Sequence, residues 1–189
     1  MRTLDRGAIV TLSDEEVRIA AWIGRRRSEV ARAAGIPDYK VRPGNRSGVE
    51  VDIDGFGAEL AFCKLVNVYP DLSPQPKSGG ADCLVVGSYV DVKSRRQPND
   101  DLLVIARPGK QTGIDWYALM IVNWPTFRFA GAIQTLDLVR QPVVDLGYGP
   151  TYAVPQNKLS DFRLTLTPEQ VEEYCAHAVK ADEIRWTIR

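Results

Sequence analysis

The sequence predicts a single mixed α/β domain, spanning residues 1–189, in which a central β-sheet is flanked by helices. The chain is 44% apolar and 25% charged over 189 residues, which suits one domain with a sizeable core. Capping-box patterns introduce helices near both ends. Between them, short apolar runs alternate with turn residues, as is typical of strands. No linker or internal repeat divides the chain.

The helices are predicted from their capping signals. Ser13 to Glu16, "SDEE", begins an N-terminal helix over residues 13–35, which glycine and proline end. A loop or short irregular strand over residues 40–55 precedes a second helix, "FGAELAFCKLVN", over residues 56–67. Thr167-Pro168-Glu169-Gln170 begins a C-terminal helix over residues 167–181. Five arginines on the first helix indicate either a solvated face or contact with a phosphate backbone.

The strands are predicted from apolar runs. A hairpin occupies the stretch "GGADCLVVGSYVDVKSRR", residues 79–96. Three further strands are expected at residues 102–106, 116–123 and 127–133, with a turn at Trp124-Pro125-Thr126 between the last two.

Charge and cysteine content narrow the class of protein. Lysine plus arginine and aspartate plus glutamate both number 24, so the net charge is zero and any electrostatic site must be local. The three cysteines form no CxxC pair and one histidine is present, which gives a zinc site little support. No apolar run approaches the ~20 residues that span a bilayer, and the N-terminus lacks the apolar core of a signal peptide. We expect a cytoplasmic protein with no membrane partner.

Glu59 is the first unusual residue, because Phe56, Phe62 and Cys63 surround it on the wheel of the second helix. A buried carboxylate is costly unless it is paired, hydrogen-bonded or bound to a metal. An arginine partner and a metal are both open. Asp52 and Asp54, just upstream, are interpreted as capping the approach to the helix, with membership of an acidic site as the alternative.

The hairpin brings two more carboxylates and a lysine together. A turn at Gly87-Ser88 sets a register that pairs Val86 with Tyr89, Leu84 with Asp91, and Asp82 with Lys93. Alternation then puts Asp82, Asp91 and Lys93 on one face, with the two aspartates ~7–8 Å apart as diagonal neighbours. Converging carboxylates repel each other unless a cation lies between them, and oxygen ligands favour Mg²⁺ or Mn²⁺. A structural Asp82–Lys93 salt bridge is the alternative.

Glu59 on a helix, Asp82 on a strand and Asp91-Val92-Lys93 on the next strand resemble the PD-(D/E)XK nuclease superfamily. The resemblance covers about residues 55–135. It implies a restriction-endonuclease-like fold with an αβββαβ core. It also implies metal binding by Glu59, Asp82 and Asp91, and a catalytic role for Lys93 in the attack of water on a phosphodiester.

By this resemblance the protein is expected to be a Mg²⁺-dependent nuclease acting on DNA, with RNA as a further possibility. Four residues flanking the site are candidates for holding substrate phosphates: Lys77, Ser94, Arg95 and Arg96. One alternative is a nuclease-fold protein with a vestigial site that only binds nucleic acid or joins a larger complex. Another is a β-rich module whose ion pairs are structural. The oligomeric state is open, and a homodimer is compatible with the sequence.

Overall fold

The computed structural model describes residues 3–36, 46–75, 80–106, 113–147 and 149–163. The predicted C-terminal helix at 167–181 lies outside these ranges. In chain order the elements are β1 (Thr3–Leu4), β2 (Ile9–Thr11), α1 (Asp14–Ala33), α2 (Gly48–Val66), β3 (Cys83–Val85), β4 (Ser88–Arg95), β5 (Leu102–Ile105), β6 (Trp116–Asn123), β7 (Thr126–Gln134), α3 (Thr135–Leu138), β8 (Val143–Asp145), β9 (Pro150–Val154) and β10 (Phe162–Arg163).

Helix α1 begins where the sequence predicts. The Ser13 hydroxyl accepts a hydrogen bond from the Glu16 amide at 3.3 Å, and the Glu16 carboxylate accepts one from the Ser13 amide at 2.6 Å. Farther along, Gly24 lets α1 approach α2 closely. A Cβ at position 24 would lie 2.6 Å from the Cα of Ile53. The two helices therefore pack backbone to backbone at this point.

Helix α2 starts eight residues earlier than predicted, so the expected loop over residues 40–55 is wrong from residue 48 onward. A capping box that matches the first one starts it. The Ser47 hydroxyl accepts from the Glu50 amide at 3.3 Å, and the Glu50 carboxylate accepts from the Ser47 amide at 2.8 Å. Most residues in the second half of α2 are buried. This half of the helix therefore lacks the polar face by which an amphipathic helix is usually recognised in a sequence.

The central sheet has five strands in the order β2-β7-β6-β4-β3. Strands β4 and β6 are parallel, and the other neighbours are antiparallel. The predicted mixed sheet flanked by helices is confirmed. Strand β5 forms as predicted but joins a separate sheet of order β5-β9-β8. The described part of the connection between the parallel strands β4 and β6 contains β5 and no helix.

Both faces of the central sheet are covered. On one face α1 and α2 bury a cluster that includes Phe62, Val90 and Phe129. On the other face the β5-β9-β8 sheet packs through Leu102 against a cluster that includes Leu119. Within the described ranges, no helix combines the length and the apolar character needed to cross a membrane.

Candidate active site

The β3–β4 hairpin turns at Val86-Gly87, one residue earlier than predicted. Both turn residues have positive φ, 48° and 77°, as tight two-residue hairpin turns require. The observed register pairs Val85 with Ser88, Leu84 with Tyr89, and Cys83 with Val90. Before β3 the Asp82 amide donates to the Val90 carbonyl, so the predicted pairing of Asp82 with Lys93 is wrong. The partner of Leu84 moves by two positions, from Asp91 to Tyr89, and Asp91 and Lys93 share one face of β4 by alternation.

Asp82 lies just before β3 and extends the hairpin with its side chain. Its amide donates to the Val90 carbonyl at 2.8 Å. Its Oδ2 accepts a hydrogen bond from the Val92 amide at 2.7 Å. The carboxylate thus takes the place of a strand carbonyl. It is fixed at the open side of β4 and is buried, with 8% of the residue exposed.

Asp91 and Lys93 are two residues apart on β4, where Asp91 pairs with Tyr117 of β6 and Lys93 pairs with Leu119. The Lys93 ammonium donates a hydrogen bond to the Asp91 carboxylate. It also lies 5.9 Å from the centre of the Tyr117 ring. Side-chain exposure is 34% for Lys93 and 17% for Asp91. A partly exposed ammonium and a largely buried carboxylate therefore lie side by side.

The electrostatics of this group are set by burial and by like charge. Burial raises the pKa of Asp91 to about 6, the Lys93 charge opposes the rise, and the charge of Asp82 and a hydrogen bond with it add to the rise. Burial lowers the pKa of the Lys93 ammonium, but the charges of Asp91, Asp82 and Glu59 outweigh burial and the net pKa is raised. Lys93 thus bonds to Asp91, and the charge of Asp82 raises the pKa of both residues.

Glu59 is buried on α2, as predicted, and pairs with an arginine of α1. The Arg27 Nη1 donates to both carboxylate oxygens of Glu59 at 2.8 Å. Side-chain exposure is 14% for Arg27 and 12% for Glu59. The sequence left an arginine partner and a metal open for this residue, and the structure has the arginine. The Glu59 charge still reaches the trio, since it raises the pKa of Lys93.

The residues fit a divalent cation at Asp82 and Asp91. In the described part of the chain, no group of three or more His, Cys, Asp or Glu side chains is arranged to hold a metal ion. Mg²⁺, however, is commonly held by one or two carboxylates together with substrate phosphates. The mutual repulsion of Asp82 and Asp91 is what a cation between them would relieve. A two-carboxylate site is therefore compatible with this geometry, while Glu59 is paired with Arg27.

The four predicted phosphate-binding residues have different surroundings. Arg96 donates to Asp54 at 2.6 and 2.9 Å. Arg95 forms an ion pair with Asp100 at 3.2 Å. Ser94 alternates with Lys93 along β4 and so faces the helical side of the sheet. Lys77 lies outside the described residues. Both arginines are engaged by carboxylates, which weakens their case as free phosphate ligands.

Asp54 is the buried polar residue that the sequence reasoning misinterpreted. It lies inside α2, as Asp52 does, so neither residue caps the helix. Its carboxylate accepts hydrogen bonds from Arg46 at 2.5 Å and from the Trp124 indole at 2.8 Å, besides those from Arg96. Only 1% of the residue is exposed. Asp54 therefore ties α2 to the end of β4 and to the β6–β7 turn, and the Ser47–Glu50 capping box was the signal that would have located it.

Comparisons of the chain with protein-family models, with curated proteins and with solved structures each gave no match. Cavities of about 670, 580 and 440 Å³ that share Trp116 and Gln134 are not lined by Asp82, Asp91 or Lys93.

Proposed function

We propose that this protein is a Mg²⁺-dependent nuclease of the PD-(D/E)XK type that hydrolyses phosphodiester bonds in DNA. The observation that carries the proposal is the trio on the hairpin. Asp82 interacts with Asp91 and raises its pKa, and Lys93 bonds to Asp91. Two repelling carboxylates beside a charged lysine are an arrangement that costs stability, and such arrangements are typical of functional sites.

Each residue has a role that its surroundings support. A bound Mg²⁺, or Mn²⁺, would supply Lewis acidity and a water of lowered pKa. Asp82 and Asp91 would hold that ion. Asp82 is oriented for this by the Val92 amide. Lys93 keeps its proton at neutral pH because its pKa is raised. Its ammonium can therefore donate to a phosphoryl oxygen whose negative charge grows in the transition state.

The pH dependence of metal binding follows from Asp91. A carboxyl group must be ionised to bind a cation, so protons compete with the metal. With a pKa of about 6, Asp91 is half protonated at a pH where an ordinary aspartate is fully ionised. Metal affinity should therefore fall as the pH drops through 6.

A second candidate function is nucleic-acid binding without cleavage. The observation that favours it is the Arg27–Glu59 ion pair, which occupies the third predicted metal ligand. A site with two carboxylates would then bind a cation and DNA weakly and turn over slowly or not at all.

A cleavage assay with matched variants tests the proposal. Purified protein is incubated with single- and double-stranded DNA in Mg²⁺, Mn²⁺, Ca²⁺ or EDTA. We expect cleavage with Mg²⁺ and Mn²⁺, and little with Ca²⁺, which coordinates more loosely. Asp91→Ala should abolish the activity while the protein stays folded. Asp137→Ala, which removes an exposed carboxylate of α3, is the control.

The outcomes separate the two candidates. Cleavage by Asp91→Ala at the wild-type rate would refute the nuclease assignment. DNA binding by the wild type without cleavage in any metal would favour the second candidate.

A further inference from the structure

We propose that α1 is a dimerisation helix, whose exposed face binds the same face of a second copy of this chain with the two helices antiparallel. The contact is mainly electrostatic, because arginine and glutamate side chains of one copy face side chains of opposite charge on the other. The inference goes beyond the proposed nuclease activity, since it concerns a different surface and the partner that this surface fits.

The outer face of α1 carries a continuous stripe of exposed side chains. The inner face is buried at Ala20, Ile23, Gly24 and Ser28, where α1 packs on the rest of the protein. On the opposite side, exposed residues recur at alternating intervals of three and four positions: Glu15, Arg18, Trp22, Arg25, Glu29 and Arg32. This is the spacing of the positions through which two paired helices meet. The stripe therefore has the geometry of a helix–helix contact.

The stripe is complementary to itself when a second copy runs antiparallel. A two-fold axis makes the contact isologous, so each residue of the stripe meets one fixed counterpart and every pairing occurs twice. One antiparallel register makes all the pairings favourable, the second residue of each belonging to the second copy: Glu15 with Arg32, Arg18 with Glu29, and Trp22 with Arg25. In this register every glutamate of the stripe faces an arginine.

The ion pairs within α1 extend across this contact. Arg18 donates to Glu15 at 2.8 Å, and Arg26 donates to Glu29 at 2.5 Å. When Arg18 meets the second copy's Glu29, these two pairs join into a row of four charges of alternating sign. Isolated ion pairs on a surface stabilise little, whereas networks of several charges contribute more. The intrahelical pairs therefore pre-arrange the side chains that the second copy contacts.

Trp22 gives the contact an apolar centre. It is 60% exposed, and Ile19, one turn earlier on the same side of α1, is 43% exposed. In the proposed register each Trp22 lies beside the two-fold axis and against the second copy's Arg25. An arginine over an indole ring is attracted by the ring face, and tryptophan and arginine are the residue types most enriched at the centres of protein interfaces.

A second copy suits this face better than a phosphate backbone does. Glu15 and Glu29 interrupt the arginines, and their carboxylates would repel phosphates, whereas in the dimer they are the partners of arginines. The polarity of the helix agrees with this choice. The first turn of α1 is acidic and its last turn carries Arg32, so antiparallel copies bring ends of opposite charge together.

The dimer contact and the candidate active site lie on opposite sides of the central sheet. Val90 and Val92 of β4 belong to the core under α1 and α2, so alternation turns Asp91 and Lys93 to the other face. Residues 15–32 extend about 27 Å along the helix axis. A contact of this size is small for a protein interface, so we expect a weak dimer in reversible equilibrium with the monomer.

Analytical ultracentrifugation of charge-reversal variants tests the dimer. Sedimentation from micromolar to near-millimolar protein measures the monomer–dimer equilibrium of wild type, Arg18→Glu and Glu29→Arg. The wild type should dimerise, and its dissociation constant should rise with salt, which screens ion pairs. Each single variant should weaken dimerisation roughly 10-fold or more, because the two-fold axis places the new repulsion in two pairings. Both side chains are exposed, at 69% for Arg18 and 52% for Glu29, so both variants should fold.

Two recombinations of these variants identify the register. The double variant, with Arg18→Glu and Glu29→Arg, restores opposite charges in both pairings and should dimerise like the wild type. A mixture of the two single variants, one of them carrying a fluorescent label, should form a heterodimer, because each copy then supplies the charge that the other lacks. Arg140→Glu reverses an exposed charge beyond α3 and is the control that should change nothing. Thermal melts establish that each variant is folded, and Trp22→Ala, which should also weaken the dimer, replaces any that is not.

Several results would overturn the dimer. One is a wild type that stays monomeric over the whole concentration range, as it would if another part of this chain covered α1. Another is a dimer that the folded variants leave unchanged, or single variants whose mixture stays monomeric. A monomer whose DNA affinity falls with Arg18→Glu and rises with Glu29→Arg would assign the face to a nucleic acid instead. Cleavage that Asp91→Ala abolishes would leave the proposed function intact in each case.

Discussion

The raised pKa of Asp91 predicts that the metal-free protein loses stability as the pH rises. The pKa is about 6 in the folded protein, against an ordinary value of 3.8. The folded state therefore binds this proton more tightly than the unfolded chain does. The resulting stabilisation is fully present below the unfolded pKa and is lost as the pH rises through 6. Its full extent is about 3 kcal/mol, at about 1.4 kcal/mol for each pKa unit.

Replacing Asp91 by asparagine isolates this contribution, because asparagine does not titrate. We expect the free energy of unfolding of Asp91→Asn, relative to wild type, to increase by about 1 kcal/mol between pH 5 and pH 8. The variant also loses the bond between Asp91 and Lys93. This loss changes the difference in unfolding free energy by the same amount at every pH, because Lys93 stays protonated over this range. Urea unfolding in EDTA at several pH values measures the difference.

Asp137→Asn is the control, because its carboxylate is exposed and should give a pH-independent difference. A pH-independent difference for Asp91→Asn as well would refute the raised pKa. If the free energy of unfolding of Asp91→Asn, relative to wild type, decreases with rising pH, the pKa of Asp91 is lowered. The stabilisation of the Asp91 carboxylate by Lys93 would then exceed the opposing effects of burial and Asp82. If the pKa of Asp91 is raised and the residue binds a cation, Mg²⁺ at pH 8 should stabilise the wild type and leave the stability of Asp91→Asn nearly unchanged.

Three other substitutions test separate parts of the structure, each by urea or thermal unfolding in EDTA. Asp82→Asn should leave stability unchanged or raise it, because the asparagine amide oxygen can still accept the hydrogen bond from the Val92 amide and one repelling charge is removed. A loss of ~3–5 kcal/mol would show that this carboxylate is structural. Asp54→Asn should cost about 3 kcal/mol by leaving two guanidinium groups without their anion, and a cost near zero would contradict the central role of Asp54. Gly24→Ala should cost ~1–3 kcal/mol by pushing α1 off the Ile53 backbone, whereas an unchanged melting temperature would show that the helices can shift freely.

Capping motifs and apolar runs in the sequence correctly predicted the helices and strands that such local patterns specify. The Ser13–Glu16 capping box located the start of α1, and the apolar run at residues 116–123 is β6 at its exact bounds. The same capping signal at Ser47 and Glu50 was overlooked, because the helix that follows is covered on several sides and shows no clear polar stripe. Strand β5 was predicted as a strand, but its partner β9 lies about 50 positions away and no local pattern specifies it.

The candidate site was partly predictable for a related reason. The face shared by Asp91 and Lys93 depends only on alternation along β4, so it does not depend on the turn, which was misplaced by one residue. The turn itself was not predictable from residue preference, because Val86 adopts a positive φ that β-branched residues rarely adopt. The ion-pair partner of Glu59 could not be predicted from the sequence for another reason. Arg27 precedes it by 32 positions on a different helix, and only tertiary packing joins them.

The hydrogen bond between Asp82 and the Val92 amide gives the molecule a spectroscopic reporter. Most amides of a sheet donate to strand carbonyls, which do not change when a ligand binds, whereas this one donates to a carboxylate. A proton or cation that draws charge from Asp82 weakens the acceptor and shifts the Val92 amide proton to higher field. One cross-peak in a ¹H–¹⁵N spectrum therefore reads the charge state of the carboxylate pair without any change to its side chains.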